Sequence, residues 1–334
     1  MHTIIFYDVK PYEKDFFELE INKDIDITYI DSDLLTDREL TEQEQNADVI
    51  SVFTLSKLDK QLLQKFKKLK LILTRSVGYS HIDIDYCNNR NIIVANAPHY
   101  GDYTVAEFSF GLLLSLVRRI GYGQHELKLG DMYPETYGME LYDKTIGIIG
   151  TGAIGSKSIK IAKGFSMNIL CYDIKENEDL AQEYNVKYVD LDTLCKFSDV
   201  IMLHAPFTSH NYHMIDKRKI SLMKDTAVIV NTARGELIDT EALYDALMDN
   251  KIQGAALDVF EFEETISNKR PTEKINLKNL RTSLINNKLL NLSNVVATPH
   301  IAYDTKEAIN RILQKTAKSL NEFILGKEVE YRVR

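Results

Sequence analysis

Short apolar runs rich in Ile and Val recur along the chain with amphipathic stretches between them, the pattern of parallel sheets assembled from βαβ units. Two series stand out. The first predicts strands at Thr3–Tyr7, Ile25–Ile30, Asp48–Phe53, Lys70–Thr74 and Ile92–Ala95, with charged crossovers such as Ser56–Lys68. The second predicts strands at Thr145–Ile149, Asn168–Tyr172, Val186–Val189, Asp199–Leu203, Ala227–Val230, Gln253–Leu257 and Asn294–Thr298. Between the series, Thr104-Val105-Ala106-Glu107 reads as a capping box opening a long apolar helix. A second long helix is predicted over Thr305 to Leu325, where Ala308, Ile309, Ile312, Leu313, Ala317 and Leu320 fall on one face and Gly326 ends it. The polar, Asn/Lys-rich stretch from Glu263 to Leu292 breaks the pattern and reads as a long loop with one or two short helices.

Composition narrows the class. At 334 residues and 44% apolar content the chain is long enough for two domains, each with its own core. Lys plus Arg number 41 against 49 Asp plus Glu, and the net −8 is spread without a basic block, which argues against nucleic acid. The longest apolar stretch, Phe108 to Val117, stops at Arg118, well short of the roughly 20 residues a membrane span needs. No signal-peptide pattern opens the chain. Cys87, Cys171 and Cys195 are odd in number and widely spaced, as expected of buried structural thiols in a reducing cytoplasm. His204, His210 and His213 lie close in sequence, but no carboxylate or cysteine completes a ligand set, so no metal is expected.

Two constellations carry chemistry. Strand Thr145–Ile149 runs into Gly150-Thr151-Gly152-Ala153-Ile154-Gly155, and Asp173 closes the next strand. In the order strand, glycine turn, helix, strand, acid, this is a dinucleotide site. Gly150 permits the turn, Gly152 admits a pyrophosphate, Gly155 brings helix to strand, and the amides near Ala153 and Ile154 receive the phosphates. Asp173 would accept from ribose hydroxyls and repel a 2′-phosphate, favouring NAD, although Lys175 lies two residues on. The second constellation occupies carboxyl ends of strands, where open α/β sheets bind ligands. Arg234 follows Asn231-Thr232-Ala233, Glu263 follows Asp258, and His300 follows Pro299. A guanidinium can fork a carboxylate and polarise an adjacent carbonyl, and a histidine paired with a glutamate can protonate a nascent alkoxide.

With these residues in view, the chain resembles the D-isomer-specific 2-hydroxyacid dehydrogenases, and within them the D-lactate dehydrogenase branch. The resemblance runs from about Asp48 to Leu325. It is carried by the glycine turn and by Leu203-His204-Ala205-Pro206, Asn231-Thr232-Ala233-Arg234-Gly235, Ala256-Leu257-Asp258-Val259-Phe260 and Thr298-Pro299-His300-Ile301-Ala302, in family order and spacing. It implies two doubly wound parallel-sheet α/β domains, a Rossmann NAD-binding domain (102–300) inserted into a flavodoxin-like substrate domain (1–101 and 301–334). Arg234, Glu263 and His300 would be catalytic. Ala153, Ile154, Asp173, Ala205, Pro206, Asn211, Thr232, Ala233 and Asp258 would contact NAD, Asp258 at the nicotinamide carboxamide. In Arg75-Ser76-Val77-Gly78-Tyr79 the amides of Val77 and Gly78 would hold a substrate carboxylate. Phe53, where the branch commonly has Tyr, and Tyr303 would wall the substrate pocket, leaving room for pyruvate before larger 2-oxo acids of the hydroxyisocaproate type. A homodimer through the nucleotide-binding domain is the family habit. The same fold also serves NAD-sensing co-repressors, whose peptide-binding features and flexible tails are not evident in this sequence.

Overall fold

The computed structural model describes residues 2–21, 25, 27–135, 137–263 and 277–333. The chain divides into two compact units, Met1–Tyr100 with Thr305–Arg334, and Gly101–Asp304. In the first unit, β1 (Ile4–Tyr7), β2 (Ile27–Ile30), β3 (Val49–Val52), β4 (Leu71–Thr74) and β5 (Ile93–Ala95) form a five-stranded sheet in the order β2-β1-β3-β4-β5. All its pairings are parallel. This is the flavodoxin-like order. Its strands are apolar on both faces because both are covered. Ile5, Tyr7, Ile50 and Ile72 enter one core; Ile4, Phe6, Val49 and Leu71 enter the other. The helix Lys306–Ile324 packs Leu313, Ala317 and Leu320 into the second of these, and Thr305 caps it by accepting from the Ala308 amide at 3.1 Å.

The second unit holds β6 (Thr145–Ile149), β7 (Asn168–Tyr172), β8 (Lys187–Tyr188), β9 (Val200–Leu203), β10 (Val228–Asn231), β11 (Gly254–Leu257) and β12 (Val295–Ala297). Their order is β12-β11-β10-β9-β6-β7-β8, again all parallel. The order reverses between β6 and β9, the Rossmann switch point, so ligand chemistry is expected outside the carboxyl ends of these strands. Alternate residues of β9 feed opposite cores: Val200 and Met202 one, Ile201 and Leu203 the other. No helix among the described residues is long and apolar enough to cross a membrane.

The structure corrects one local expectation and refines two others. The apolar helix spans Asp102–Val117 with Gly101 at its cap, so Thr104 lies within it, 8% exposed, and caps nothing. Thr-x-x-Glu matches the box by spacing alone, while packing of Val105, Ala106, Phe110 and Leu113 sets where the helix begins. The crossover Ser56–Lys68 contains only the single turn Lys60–Leu63, capped by Asp59. The polar stretch from Glu263 to Leu292 contains a helix of 13 residues, Leu277–Leu289, while 264–276 lie outside the described residues.

Candidate active site

The glycine turn is built by close approach. Gly150 follows β6 in the left-handed region at φ +90°, where an added Cβ would also lie 2.6 Å from the Ala205 amide nitrogen. A Cβ on Gly155 would fall 1.9 Å from the Gly150 carbonyl oxygen, so the helix Ala153–Gly164 reaches the strand only through that glycine. At Gly152 a Cβ would meet nothing within 4 Å, and no side chain caps the helix there. Open space thus adjoins the helix N-terminus, where a pyrophosphate would be received. Asp173, just past β7, is held by the turn itself. Its Oδ2 accepts from the Thr151 amide at 2.6 Å and hydroxyl at 3.0 Å, and its Oδ1 from the Lys175 amide at 3.1 Å. Burial opposes its charge, but these donors prevail and hold the carboxyl below its ordinary range. Tyr188 completes the cluster through its hydroxyl, 2.9 Å from Thr151 Oγ1.

Ala205 and Pro206 follow β9, and Asn211 ties their loop together by donating to the Pro206 carbonyl at 2.8 Å and accepting from the Thr208 amide at 2.7 Å. The Thr232 hydroxyl lies 2.7 Å from that of Ser109. His204 and His213, adjacent to this loop, are engaged apart from one another, with Ser158 and Glu261 respectively.

Arg234 follows β10 on a loop braced by Asn231, which donates to the Arg234 carbonyl at 2.9 Å and accepts from the Ala233 amide at 3.0 Å. The guanidinium is half-buried, with Nη1 donating to the Ala233 carbonyl at 2.6 Å. Gly235 then lies against the segment that leads to Glu263. A Cβ there would fall 2.0 Å from the Phe260 carbonyl carbon and 2.2 Å from the Glu261 nitrogen. Glu263 accepts from the Phe260 amide at 3.1 Å, and its Oε2 meets His300 Nδ1 at 2.8 Å.

His300 has φ +54°, a left-handed backbone that costs on the order of 1–3 kcal/mol for a non-glycine residue. The turn is held by Asp258, whose carbonyl accepts from the His300 amide at 2.8 Å. The Asp258 carboxylate is fully buried and accepts from the Thr298 hydroxyl and the Ile301 and Ala302 amides at 2.5, 3.0 and 2.9 Å. Burial still raises its proton affinity above that of an ordinary aspartate. Its visible work is to shape the turn that carries His300.

In the first unit, the loop after β4 has its carbonyls tied back. Ser76 O accepts from the Ala97 amide at 2.9 Å, Val77 O from Asn96 Nδ2 at 2.8 Å and Gly78 O from Ser76 Oγ at 2.6 Å. Among the described residues the Val77 and Gly78 amides donate to nothing, which leaves two N–H groups for an anion. Arg75, 1% exposed, is spent on structure, donating to the Tyr7 and Asp8 carbonyls. Phe53 and Tyr303 are half-buried, in the first and second units respectively.

Sequence reasoning missed Glu261, a carboxylate 3% exposed that takes the His213, Tyr212 and Thr240 side chains, and Glu236, a half-buried acid beside Arg234. Burial, with the Glu263 charge, raises Glu236 above the ordinary carboxylate range. The alternation of acids at 258, 261 and 263 was the available signal, but which of them faces inward depends on partners 20 to 50 positions away.

A dinucleotide turn, an arginine and a histidine–glutamate pair, all at carboxyl ends of one parallel sheet, define an NAD-dependent oxidoreductase. Comparison with known proteins narrows the class. The family described as "D-isomer specific 2-hydroxyacid dehydrogenase, NAD binding domain" matches residues 110–302. An aromatic 2-oxoacid reductase of Clostridium sporogenes is 40% identical over 282 residues, 83% of each chain. A D-3-phosphoglycerate dehydrogenase of Methanocaldococcus jannaschii is 39% identical over 298 residues, 89% of this chain, which spans only 53% of that longer relative. The structure of D-lactate dehydrogenase from Aquifex aeolicus, complexed with NAD and lactic acid, superposes with a TM-score of 0.86 at 38% identity, covering 97% of this chain and 96% of that one. The chain belongs to the D-isomer-specific 2-hydroxyacid dehydrogenase family.

Proposed function

We propose that the protein reduces pyruvate to D-lactate, and that the hydrogen-bonded His300–Glu263 pair beside Arg234 carries the chemistry. Bound NADH, held by Gly150 to Gly155, Asp173 and the loops at 205–211, 232–233 and 258, would supply the hydride. Glu263 takes Nδ1 of His300, so Nε2 is the nitrogen that gives its proton to the nascent alkoxide oxygen. The Arg234 guanidinium forks the substrate carboxylate and stabilises charge growing on the carbonyl oxygen. In the first unit the Val77 and Gly78 amides are read as carboxylate donors. Phe53, in the first unit, and Tyr303, in the second, are each read as a substrate contact that limits substrate size. The lactate named in the Aquifex complex supports a small substrate. The kinship with an aromatic 2-oxoacid reductase, together with the missing hydroxyl at Phe53, favours larger 2-oxo acids as the second reading.

NADH oxidation followed with pyruvate, 2-oxobutyrate, 2-oxoisocaproate, phenylpyruvate and hydroxypyruvate, with the product's chirality determined, tests this reading. Fastest turnover of pyruvate to the D-product supports it; preference for a larger acid selects the second reading. Tight NADH binding with no turnover of any acid replaces both with an NAD-sensing role.

The protein is further proposed to act in the cytoplasm as a homodimer. The helix Ile120–Leu129 buries none of its residues, and Ile120, Leu127, Leu129, Met132, Tyr133 and Tyr137 are exposed in and after it, apolar surface available to a second copy. Sedimentation at micromolar concentration should give the dimer mass, and Leu127→Glu with Leu129→Glu should give monomer.

A further inference from the structure

We infer that Glu261 and His213 form a positioning pair that sets Glu263 against His300, an inference that rests on the acid role proposed above for His300. Glu261 has its carboxylate inside the protein with a donor on every side. Oε1 accepts from Tyr212 Oη at 3.1 Å and is 2.9 Å from His213 Nε2; Oε2 accepts from the Thr240 hydroxyl at 2.5 Å and amide at 3.3 Å. Its carbonyl accepts from Asn286 Nδ2 at 2.8 Å. These partners come from the segment after the 205–211 loop, from the start of the helix Thr240–Met248 and from the helix Leu277–Leu289.

His213 is fixed in its turn. Its amide donates to the Glu236 carbonyl at 2.9 Å, its backbone is left-handed at φ +52°, and its ring stacks on Tyr212 with centroids 3.8 Å apart. Its Nδ1 lies 3.8 Å from Asp239 Oδ2, so the imidazole spans two acids. Glu236 is also the residue two past Arg234, which places His213 between the Arg234 loop and the Glu263 loop.

The chain path makes the consequence direct. Glu263 is two residues beyond Glu261 and accepts from the amide of Phe260, the residue just before it. The Phe260–Glu261 peptide has Gly235 on one face and Glu261's donors beyond, so it has one seat. A Glu261 with fewer donors turns toward water, carries residues 260–263 with it and withdraws Glu263 from His300. The charges acting on the pair and its anchor are Asp258 at His300, Glu236 and Arg234 beside Glu263, and Asp239 beside His213. The Glu261 charge acts in the same cluster; His213→Leu and His213→Gln leave all these carboxylates and Arg234 in place, and only Glu261→Gln removes one.

The test uses His213→Leu and His213→Gln, the second keeping an amide donor near the position of Nε2. With the 2-oxo acid the wild type reduces fastest, His213→Leu should lower kcat/KM at least about tenfold, since a misplacement of about 1 Å can cost about a hundredfold. It should also move the alkaline limb of the pH profile to lower pH and leave the NADH Kd within about twofold, and His213→Gln should restore rate and limb together. Should His213→Leu fail to fold, Glu261→Gln, equal in volume, is measured in the same way and should shift the limb in the same direction. A variant that melts earlier yet keeps the wild-type rate and pH profile overturns the inference and leaves a purely structural pair. His300→Gln is the control: if it retains wild-type turnover, the acid role of His300 fails and the inference with it, whereas its inactivation beside an unaltered His213→Leu enzyme overturns the inference alone.

Discussion

Replacing Gly235 by alanine separates the geometry of the site from its chemistry, because it adds one methyl group and removes no functional atom. The backbone there is not left-handed, so alanine is tolerated conformationally and the effect is steric. The added Cβ would fall 2.0 Å from the Phe260 carbonyl carbon, 2.2 Å from the Glu261 nitrogen and 2.4 Å from the Phe260 oxygen, all backbone. Ordinary contact begins at 3.4 Å, so the 260–261 peptide and the Arg234 loop must part by at least about 1.4 Å. Overpacking of this kind costs about 1–3 kcal/mol of stability. The catalytic cost should be larger in proportion, because Arg234 and Glu263 lie on the two segments forced apart, and a misplacement of about 1 Å can cost about a hundredfold in rate. Steady-state reduction of pyruvate, fluorescence titration with NADH and thermal melting measure the three quantities separately. The expected outcome is kcat/KM down by about two orders of magnitude, with Tm lowered by a few degrees and NADH affinity nearly unchanged. An alanine enzyme with wild-type kcat/KM would refute the claim that contact at Gly235 aligns the two loops.

Arg234→Gln should raise KM and lower kcat together, with kcat/KM falling by about a hundredfold or more, because in the proposed role one group both binds the carboxylate and stabilises developing charge; an increase in KM alone would confine it to binding. Asp173→Ala should strengthen NADPH binding relative to NADH and weaken NADH itself, because the Thr151 amide loses its acceptor; fluorescence titration with both nucleotides measures this, and an unchanged ratio would mean that another residue reads the ribose. Acid should destabilise the fold before carboxylates titrate. Burial lowers His204 to about 3 and His81 to about 4, so both stay neutral in the folded chain while the unfolded chain protonates below about 6.5. The folded state is thus penalised as pH falls below about 6.5, by about 1.4 kcal/mol per pH unit per histidine down to the folded values. His204 Nδ1 is buried with no hydrogen-bond partner among the described residues, which is the physical reason it resists a second proton. Urea unfolding of wild type and His204→Gln between pH 7 and 5 should show a shallower loss in the variant.

Much of this was legible in the sequence because parallel strands covered on both faces are continuous apolar runs. The predicted strands Thr145–Ile149 and Asn168–Tyr172 match those of the structure residue for residue, and the others differ by one residue at one or both ends, except Ile25–Ile30, which begins two residues later, at Ile27. The glycine turn was legible because each glycine answers a steric demand visible in order and spacing. Arg234, Glu263 and His300 could be proposed because each follows a recognisable strand. What stayed hidden depends on distant partners. Thr104 looks like a cap until Gly101 is seen to begin the helix. Glu261 and Glu263 are indistinguishable in Phe260-Glu261-Phe262-Glu263, yet one meets His213, 48 positions back, and the other His300, 37 positions ahead. The helix Leu277–Leu289 has too weak an apolar stripe to announce itself; Leu280 and Leu284 are exposed, and it is fixed in part by Asn286 reaching the Glu261 carbonyl.

In the proposed mechanism one proton comes from His300, with Glu263 against its other nitrogen. The pH dependence of kcat/KM for 2-oxo acid reduction, compared between wild type and Glu263→Gln, tests it most directly. If His300 is the proton donor as proposed, the rate should fall as pH rises, and removal of the Glu263 charge should move that fall to lower pH while NADH still binds. A Glu263→Gln enzyme whose pH profile superimposes on that of the wild type would contradict the account.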